Sequence, residues 1–423
     1  MGKLIYNINE RPATIKEWII YALQQVLAVF VATVLIANIC GTPVDACLVG
    51  ACLGTLLYQL ITKFKSPMFI SSCGATVSAV MGALALNGGN NYLAVVIGGL
   101  IIFAVYGLVA LLIKIKGIET LNKILPSTIV GTITMVIGIN LAAFIPTYLN
   151  INGTYSTVGV LIGIFTMGVV AVSSHYFHGF WKTIPFLIGL AAGYIVSLLV
   201  TVAKIAPAID LSLFSNMKLF QMPDFTFTKW DFAQLNWSTV LSVTILFVPV
   251  ALAAICEHWA DHRTLSNIIG TDLTKIPGLH RTLLGDGAAS ALGTIVCGLP
   301  NTSYGESIAT TGFSKVASVS VISLAAIILG LLAFIQPLQI LIASIPSCVF
   351  GGCAMILYGF IAASGLKNLL NSKIDLENNK NLIIISVILT VGVSGIWLFT
   401  EPFSGVSLAL VLGIILNLIL KEK

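Results

Sequence analysis

The chain has 423 residues, of which 57% are hydrophobic and 9% charged, with a mean hydropathy of +1.02 and a formal net charge of +5. Soluble domains carry roughly 25% charged residues, so this composition excludes an ordinary soluble domain. Apolar runs of about 20 residues, each able to span a hydrocarbon core of about 30 Å, recur from end to end and define an all-α polytopic membrane protein.

The N-terminal stretch MGKLIYNINERPATIKEW is polar, and the apolar run after it is too long for a cleavable signal. Tyr6 breaks the myristoylation pattern that Gly2 would open. Predicted spans follow at 18–40, 44–62, 67–87, 92–114, 121–146, 156–174, 181–203, 236–260, 281–299, 300–316, 317–344, 346–364, 381–397 and 403–420. That makes about fourteen crossings, several short or interrupted by Gly and Pro. The longest polar connection, 204–236, contains PDFTFTKWDF and has room for an amphipathic segment. Cys40, Cys47, Cys52, Cys73, Cys256, Cys297, Cys348 and Cys353 form no C-x-x-C pair, which suggests neither a zinc ribbon nor a disulfide framework, and most of them read as small packing residues.

Charge sets the orientation. With a cytoplasmic N-terminus and alternating spans, only Lys204, Lys218 and Lys229 fall outside, all in the one long external connection. Every other Lys and Arg falls inside, including Lys3, Lys123, Lys373, Lys421 and Lys423. The positive charge is therefore topology, and no nucleic-acid partner is expected.

Two segments break the helical pattern. KSPMFISSCGATVSAV (65–80) places Pro67 before a short β-prone stretch and a small-residue helix start, and CGLPNTSYGESIATTG (297–312) repeats the arrangement around Pro300. Non-helical backbone at membrane depth survives only where protein or a water-filled cavity satisfies it. Paired interruptions in two halves of a chain point to a transporter's central site. They are the third and tenth spans, seven apart, which predicts two seven-span repeats with the second inverted.

Intramembrane acids cost roughly 2.5–3.5 kcal/mol at a helix centre on the insertion scale, and few are present. Glu257 and Asp261 in AAICEHWADHRTLSN lie one helical turn apart on one face. Glu306 opens the tenth span, and Asp286 lies in the ninth, in LLGDGAAS. For Asp261 and His262 a cytoplasmic helix end is an equally good reading, because Arg263 follows. Gly305-Glu306-Ser307-Ile308-Ala309 resembles a nucleophile elbow but lacks an α/β context. His258 and His262 stand at i,i+4 without the H-E-x-x-H order, and no G-x-x-x-x-G-K-[ST] loop is present. No catalytic residue, metal ligand or cofactor is expected. The residues lead to a secondary transporter with a carboxylate-lined midplane site and leave its substrate open. A passive channel or an anion transporter of the same fold is the competing class, and Glu306 would repel an anion.

The stretches ERPATIKEWIIYALQQVLAVFVATVL, EHWADH, IPGLHRTLLGDG, PNTSYGESI and CAMILYGFIAASGL resemble the nucleobase–cation symporter-2 family (nucleobase–ascorbate transporters), and within it the bacterial uracil permeases. The resemblance covers nearly the whole chain. It implies fourteen spans in two inverted repeats. A core domain would comprise 1–116 and 236–344, and a gate domain 117–203 and 345–423. It also implies import of a nucleobase, uracil first and a purine (xanthine or guanine) as the alternative, coupled to protons by alternating access. The expected setting is the plasma membrane, with cytoplasmic termini and a homodimer formed through the gate.

Matched residue by residue, Glu257 and Glu306 fall on the substrate-binding carboxylates, with Gly305 and Tyr304 beside them. Ala32 takes a small position under the base, Gln25 a polar position in the same span, and Tyr358 a gate-side position closing over the ligand. Asp261, with Glu257, Glu306 and Gln25, is implied in proton coupling, and His262 with Arg263 marks the cytoplasmic edge. Three departures stand out. Asp261 replaces a His common in uracil-type members. Cys73 and Gly74 are also expected at the substrate, and there Gly74, after Ser72 and Cys73, replaces an aromatic ring, whose stacking is worth about 1–3 kcal/mol per base. Ser307, Ala309 and Ser314-Lys315 depart from the family signature after the acid.

Overall fold

A computed structural model describes residues 4–117, 126–151, 153–215, 217–372, 374–398 and 400–420. The charges expected inside at Lys3, Lys123, Lys373, Lys421 and Lys423, and the start of the fifth predicted span, lie outside these residues. In chain order the longer helices are α1 (Ile15–Cys40), α2 (Val44–Ile61), α3 (Val77–Ala85), α4 (Tyr92–Lys116), α5 (Ser127–Ala142), α6 (Thr157–Tyr176) and α7 (Pro185–Val202). They continue as α8 (Trp237–Ile269), α9 (Leu279–Cys297), α10 (Gly305–Ser314), α11 (Val319–Leu332), α12 (Ser347–Asn371), α13 (Asn379–Ser394) and α14 (Val406–Ile419).

Among the described residues, eight helices are long and apolar enough to cross a membrane: α1, α2, α4, α5 with its extension to Tyr148, α6, α7, α8 and α12. The stretches around α3, α11, α13 and α14 are shorter apolar helices. Helix α9 is different in kind. Its Thr282, Asp286, Ser290 and Thr294 are all buried, because α9 packs between α2 and α4 and meets protein on its polar sides.

The two interrupted segments meet at the centre. Strand β1 (Ile70–Ser72) pairs antiparallel with β2 (Asn301–Ser303), in the register Ile70 opposite Ser303, Ser71 opposite Thr302 and Ser72 opposite Asn301. The pairing satisfies backbone groups that would otherwise be exposed to hydrocarbon. Each strand leads into a short helix, β1 through the turn Gly74–Thr76 into α3 and β2 through Tyr304 into α10. The connection from α10 to α11 is held by the N-terminal segment, where Ala317 donates to the Tyr6 carbonyl at 2.9 Å and Val319 to the Ile8 carbonyl at 3.0 Å.

Helices α1, α2, α4, α8, α9 and α11 pack on one another, and so do α5, α6, α7, α12, α13 and α14. Close approach in the second group depends on absent side chains. A Cβ on Gly138 of α5 would lie 2.4 Å from the Ala362 nitrogen, and one on Gly365 of α12 would lie 2.4 Å from the Gly131 oxygen. Small residues at such contacts let membrane helices touch backbone to backbone.

Three expectations are corrected. The eighth span does not end at 260: α8 continues to Ile269 and stops at Gly270, whose φ of 70° suits a glycine. The eleventh, expected over 317–344, divides into α11 and a short helix Gln336–Ala343, because Pro337 starts a new helix more readily than it continues one. The connection 204–236 holds short 3₁₀ turns and no amphipathic helix among its described residues, since its apolar side chains are interleaved with Pro207, Pro223 and Asp224.

Candidate functional site

A cavity of about 90 Å³ lies beside the β1–β2 crossing. Helix α1 gives it Ala32 and Ile36, the turn before α3 gives Gly74 and Ala75, and α8 gives Ala253 and Glu257. The β2–α10 junction contributes Thr302 through Glu306, while α5 adds Thr134 and Ile137 and α12 adds Leu357 and Ile361. The cavity is thus bounded by both helix groups.

Its chemistry follows from the residues that border it. Glu257 is exposed and Glu306 half-buried, so open space adjoins both acids inside the transmembrane bundle. A Cβ on Gly305 would meet nothing within 4 Å, so the space beside the first turn of α10 is open. Helix N-termini carry unpaired N–H donors and a partial positive charge, which suits ring carbonyl oxygens. A Cβ on Gly74 would lie 3.7 Å from Ile36 Cδ1 and 3.8 Å from Ile361 Cδ1. In place of an aromatic face, this wall is therefore aliphatic.

Of the residues expected at the site, Ala32, Gly74, Glu257, Tyr304, Gly305 and Glu306 come together around the cavity. Cys73 is buried one residue short of it, its N–H bonded to the Pro300 carbonyl at 2.8 Å. Gln25 lies behind α10, giving its amide to Thr311 Oγ1 at 3.2 Å. Asp261 accepts a hydrogen bond from Ser303 Oγ at 3.0 Å. Tyr358 is buried outside the cavity lining, and α12 presents Leu357 and Ile361 instead.

His262 does not mark an edge. It is fully buried, with Nε2 2.7 Å from the Tyr58 hydroxyl and Nδ1 2.8 Å from the His258 carbonyl. His258 is also fully buried, its Nδ1 2.5 Å from Asp286 Oδ2. Sequence reasoning singled out Asp286 only as an intramembrane acid. The wall of Thr134, Ile137, Leu357 and Ile361, from α5 and α12, carried no chemical signal in the sequence at all.

Solved structures share this fold. The chain superposes on the transmembrane domain of a cyanobacterium bicarbonate transporter, BicA, with a TM-score of 0.64 at 14% identity, covering 97% of this chain and 98% of that one. The structure of SLC26A9 gives 0.64 at 14% identity over 95% of this chain and 66% of its own. The likeness is one of fold, and with eight helices long and apolar enough to cross a membrane among the described residues it defines a multi-pass membrane protein.

Sequence comparison narrows the class. The model described as the permease family matches residues 16–401. The uracil permease of Bacillus subtilis (strain 168) is 36% identical over 433 residues, covering 100% of this chain and 97% of the relative. That of Escherichia coli (strain K12) is 34% identical over 428 residues, covering 100% and 95%. A putative pyrimidine permease of the same E. coli strain, RutG, is 29% identical over 413 residues, covering 96% and 89%. The chain belongs to this permease family, the nucleobase–ascorbate transporters, and is a transporter rather than an enzyme.

Proposed function

We propose that the protein imports uracil together with protons by alternating access. The observation that carries the reading is the position of Glu257 and Glu306 on one small cavity beneath the crossed strands. A planar imide presents N–H donors flanked by carbonyl acceptors. Ionised carboxylates accept the N–H groups, and charge-assisted hydrogen bonds of that kind are roughly twice as strong as neutral ones. The open N-terminus of α10 at Gly305 meets the carbonyls, and Ala32 and Gly74 leave room for the ring. The uracil permeases among the relatives favour a pyrimidine over a purine or an inorganic anion.

The finer architecture belongs to the same proposal. Fourteen spans in two inverted repeats form a core of 1–116 and 236–344 and a gate of 117–203 and 345–423. Support comes from the two sets of helices that pack among themselves and from the antiparallel pairing of the two broken spans. Rocking of one set against the other opens the cavity to each side in turn, with Leu357 and Ile361 moving relative to Glu257. Asp261, Glu257, Glu306 and Gln25 carry the proton coupling. The protein sits in the plasma membrane with cytoplasmic termini and pairs through its gate domain.

Radiolabelled uptake into proteoliposomes tests the reading, comparing uracil with xanthine and guanine under an inward proton gradient. Gradient-dependent uracil uptake is expected. Uptake of xanthine or guanine in preference to uracil, or no dependence on the gradient, would overturn it.

A further inference from the structure

Behind the cavity, His258 and Asp286 form a buried pair to which the reading above gives no role. Its hydrogen bonds are arranged unusually. On one side, His258 Nε2 lies 3.0 Å from Thr282 Oγ1, and the same hydroxyl lies 3.0 Å from the Leu279 carbonyl. Thr282 has one hydrogen and two claimants. When it donates to Nε2, the imidazole is neutral. When it turns to Leu279, its oxygen accepts an Nε2–H, and the ring carries an added proton with both nitrogens still bonded.

The other side has spare capacity as well. Asp286 Oδ2 receives His258 Nδ1 at 2.5 Å, the Ser303 N–H at 3.3 Å and the Thr302 hydroxyl at 3.4 Å. Its Oδ1 is buried without a hydrogen-bond partner. A proton placed on Oδ1 neutralises the carboxylate and breaks none of those bonds. The pair can therefore take up one proton at either end with no loss of hydrogen bonding.

We propose that His258 and Asp286, with Thr282 as the switchable partner, form a proton-binding site separate from the cavity carboxylates, read out to the cavity through β2. This rests on the proton-coupled reading above and names a group that holds the proton. Ser303 is the link: its N–H reaches Asp286, and its hydroxyl reaches Asp261. Thr302 and Ser303 themselves border the cavity. The titratable groups facing the pair are Glu257, Asp261 and His262 on α8, Tyr58 on α2, Tyr106 on α4 and Cys73 after β1. Among the described residues no lysine or arginine is buried. The His258 and His262 ring centroids are 4.0 Å apart, so the two rings hold at most one charge between them.

The test uses the full-length protein in detergent. Proton uptake on adding uracil is followed with a pH dye in weak buffer, and uracil binding is measured against pH. Wild type is expected to take up protons, and Asp286→Asn to lose at least half of that uptake. Thr282→Val keeps side-chain shape but removes the acceptor that the charged ring needs. It should move the pH midpoint of binding about one unit toward acid, with Thr282→Ser restoring it. Wild-type proton uptake and an unchanged midpoint in Thr282→Val would overturn this proposal alone. Uracil binding to wild type without proton uptake would overturn the coupled reading and this proposal with it.

Discussion

Glu257 and Glu306 border one cavity, the first from the middle of a continuous helix and the second from the first turn of a broken one. The difference matters because Glu306 stands in a first helical turn, whose N–H groups have no intrahelical partner, whereas the N–H groups around Glu257 are used up within α8.

Removing either charge tests the clamp. Glu257→Gln and Glu306→Gln each replace an acceptor-only carboxylate by an amide that presents a donor to the ring. Hydrogen bonds to charged groups contribute about 1.5–3 kcal/mol, or roughly 10–150-fold in affinity. Uracil uptake in proteoliposomes should fall by at least that factor while membrane insertion is retained. Near-normal uptake by Glu257→Gln would sink the assignment.

Gly74 controls the aliphatic wall. A methyl there makes only ordinary contacts with Ile36 and Ile361, so Gly74→Ala should transport uracil within about twofold of wild type. Gly74→Phe restores a ring face, and stacking of about 1–3 kcal/mol should tighten uracil binding. Competition binding checks this, and weaker binding by the Phe variant would show that the cavity cannot accept the ring.

The α5–α12 contact has no slack. Gly138→Ala drives a methyl against the Ala362 backbone, where no side chain can swing aside. Overpacking of this kind costs about 1–3 kcal/mol, and the melting temperature in detergent should drop. Gly168 on α6 has nothing within 4 Å of an added Cβ, so Gly168→Ala should melt like wild type. Equal melting of the two variants would contradict the packing argument.

Gln25 tethers α1 to α10 through Thr311. Gln25→Leu removes that bond and leaves the Thr311 hydroxyl without the amide, a loss of about 1 kcal/mol. Uptake should fall several-fold, chiefly through a weaker apparent affinity, and Thr311→Val should reproduce the effect. An unchanged affinity in both variants would detach Gln25 from the site.

What the sequence determined by itself was local or compositional. Apolar length announced the membrane, Pro67 and Pro300 with their small polar neighbours announced the two breaks, and the scarcity of acids isolated Glu257, Asp261, Asp286 and Glu306. What only the tertiary structure decided was which of these groups meet. His262 precedes Arg263 and so reads as a helix edge, yet α8 runs on to Ile269 and Tyr58 of α2 closes over the ring. Asp286 meets His258 only because α9 lies against α8 with its polar face inward. Tyr358 and Leu357 are neighbours in sequence, and a helix turns about 100° per residue. The glycine contacts at 131, 138 and 365 fix the rotation of α12, so Leu357 faces the cavity and Tyr358 the packed interior. Periodicity and composition are properties of one segment, whereas the facing of two buried side chains is a property of a pair of helices, set by close packing that no single segment encodes.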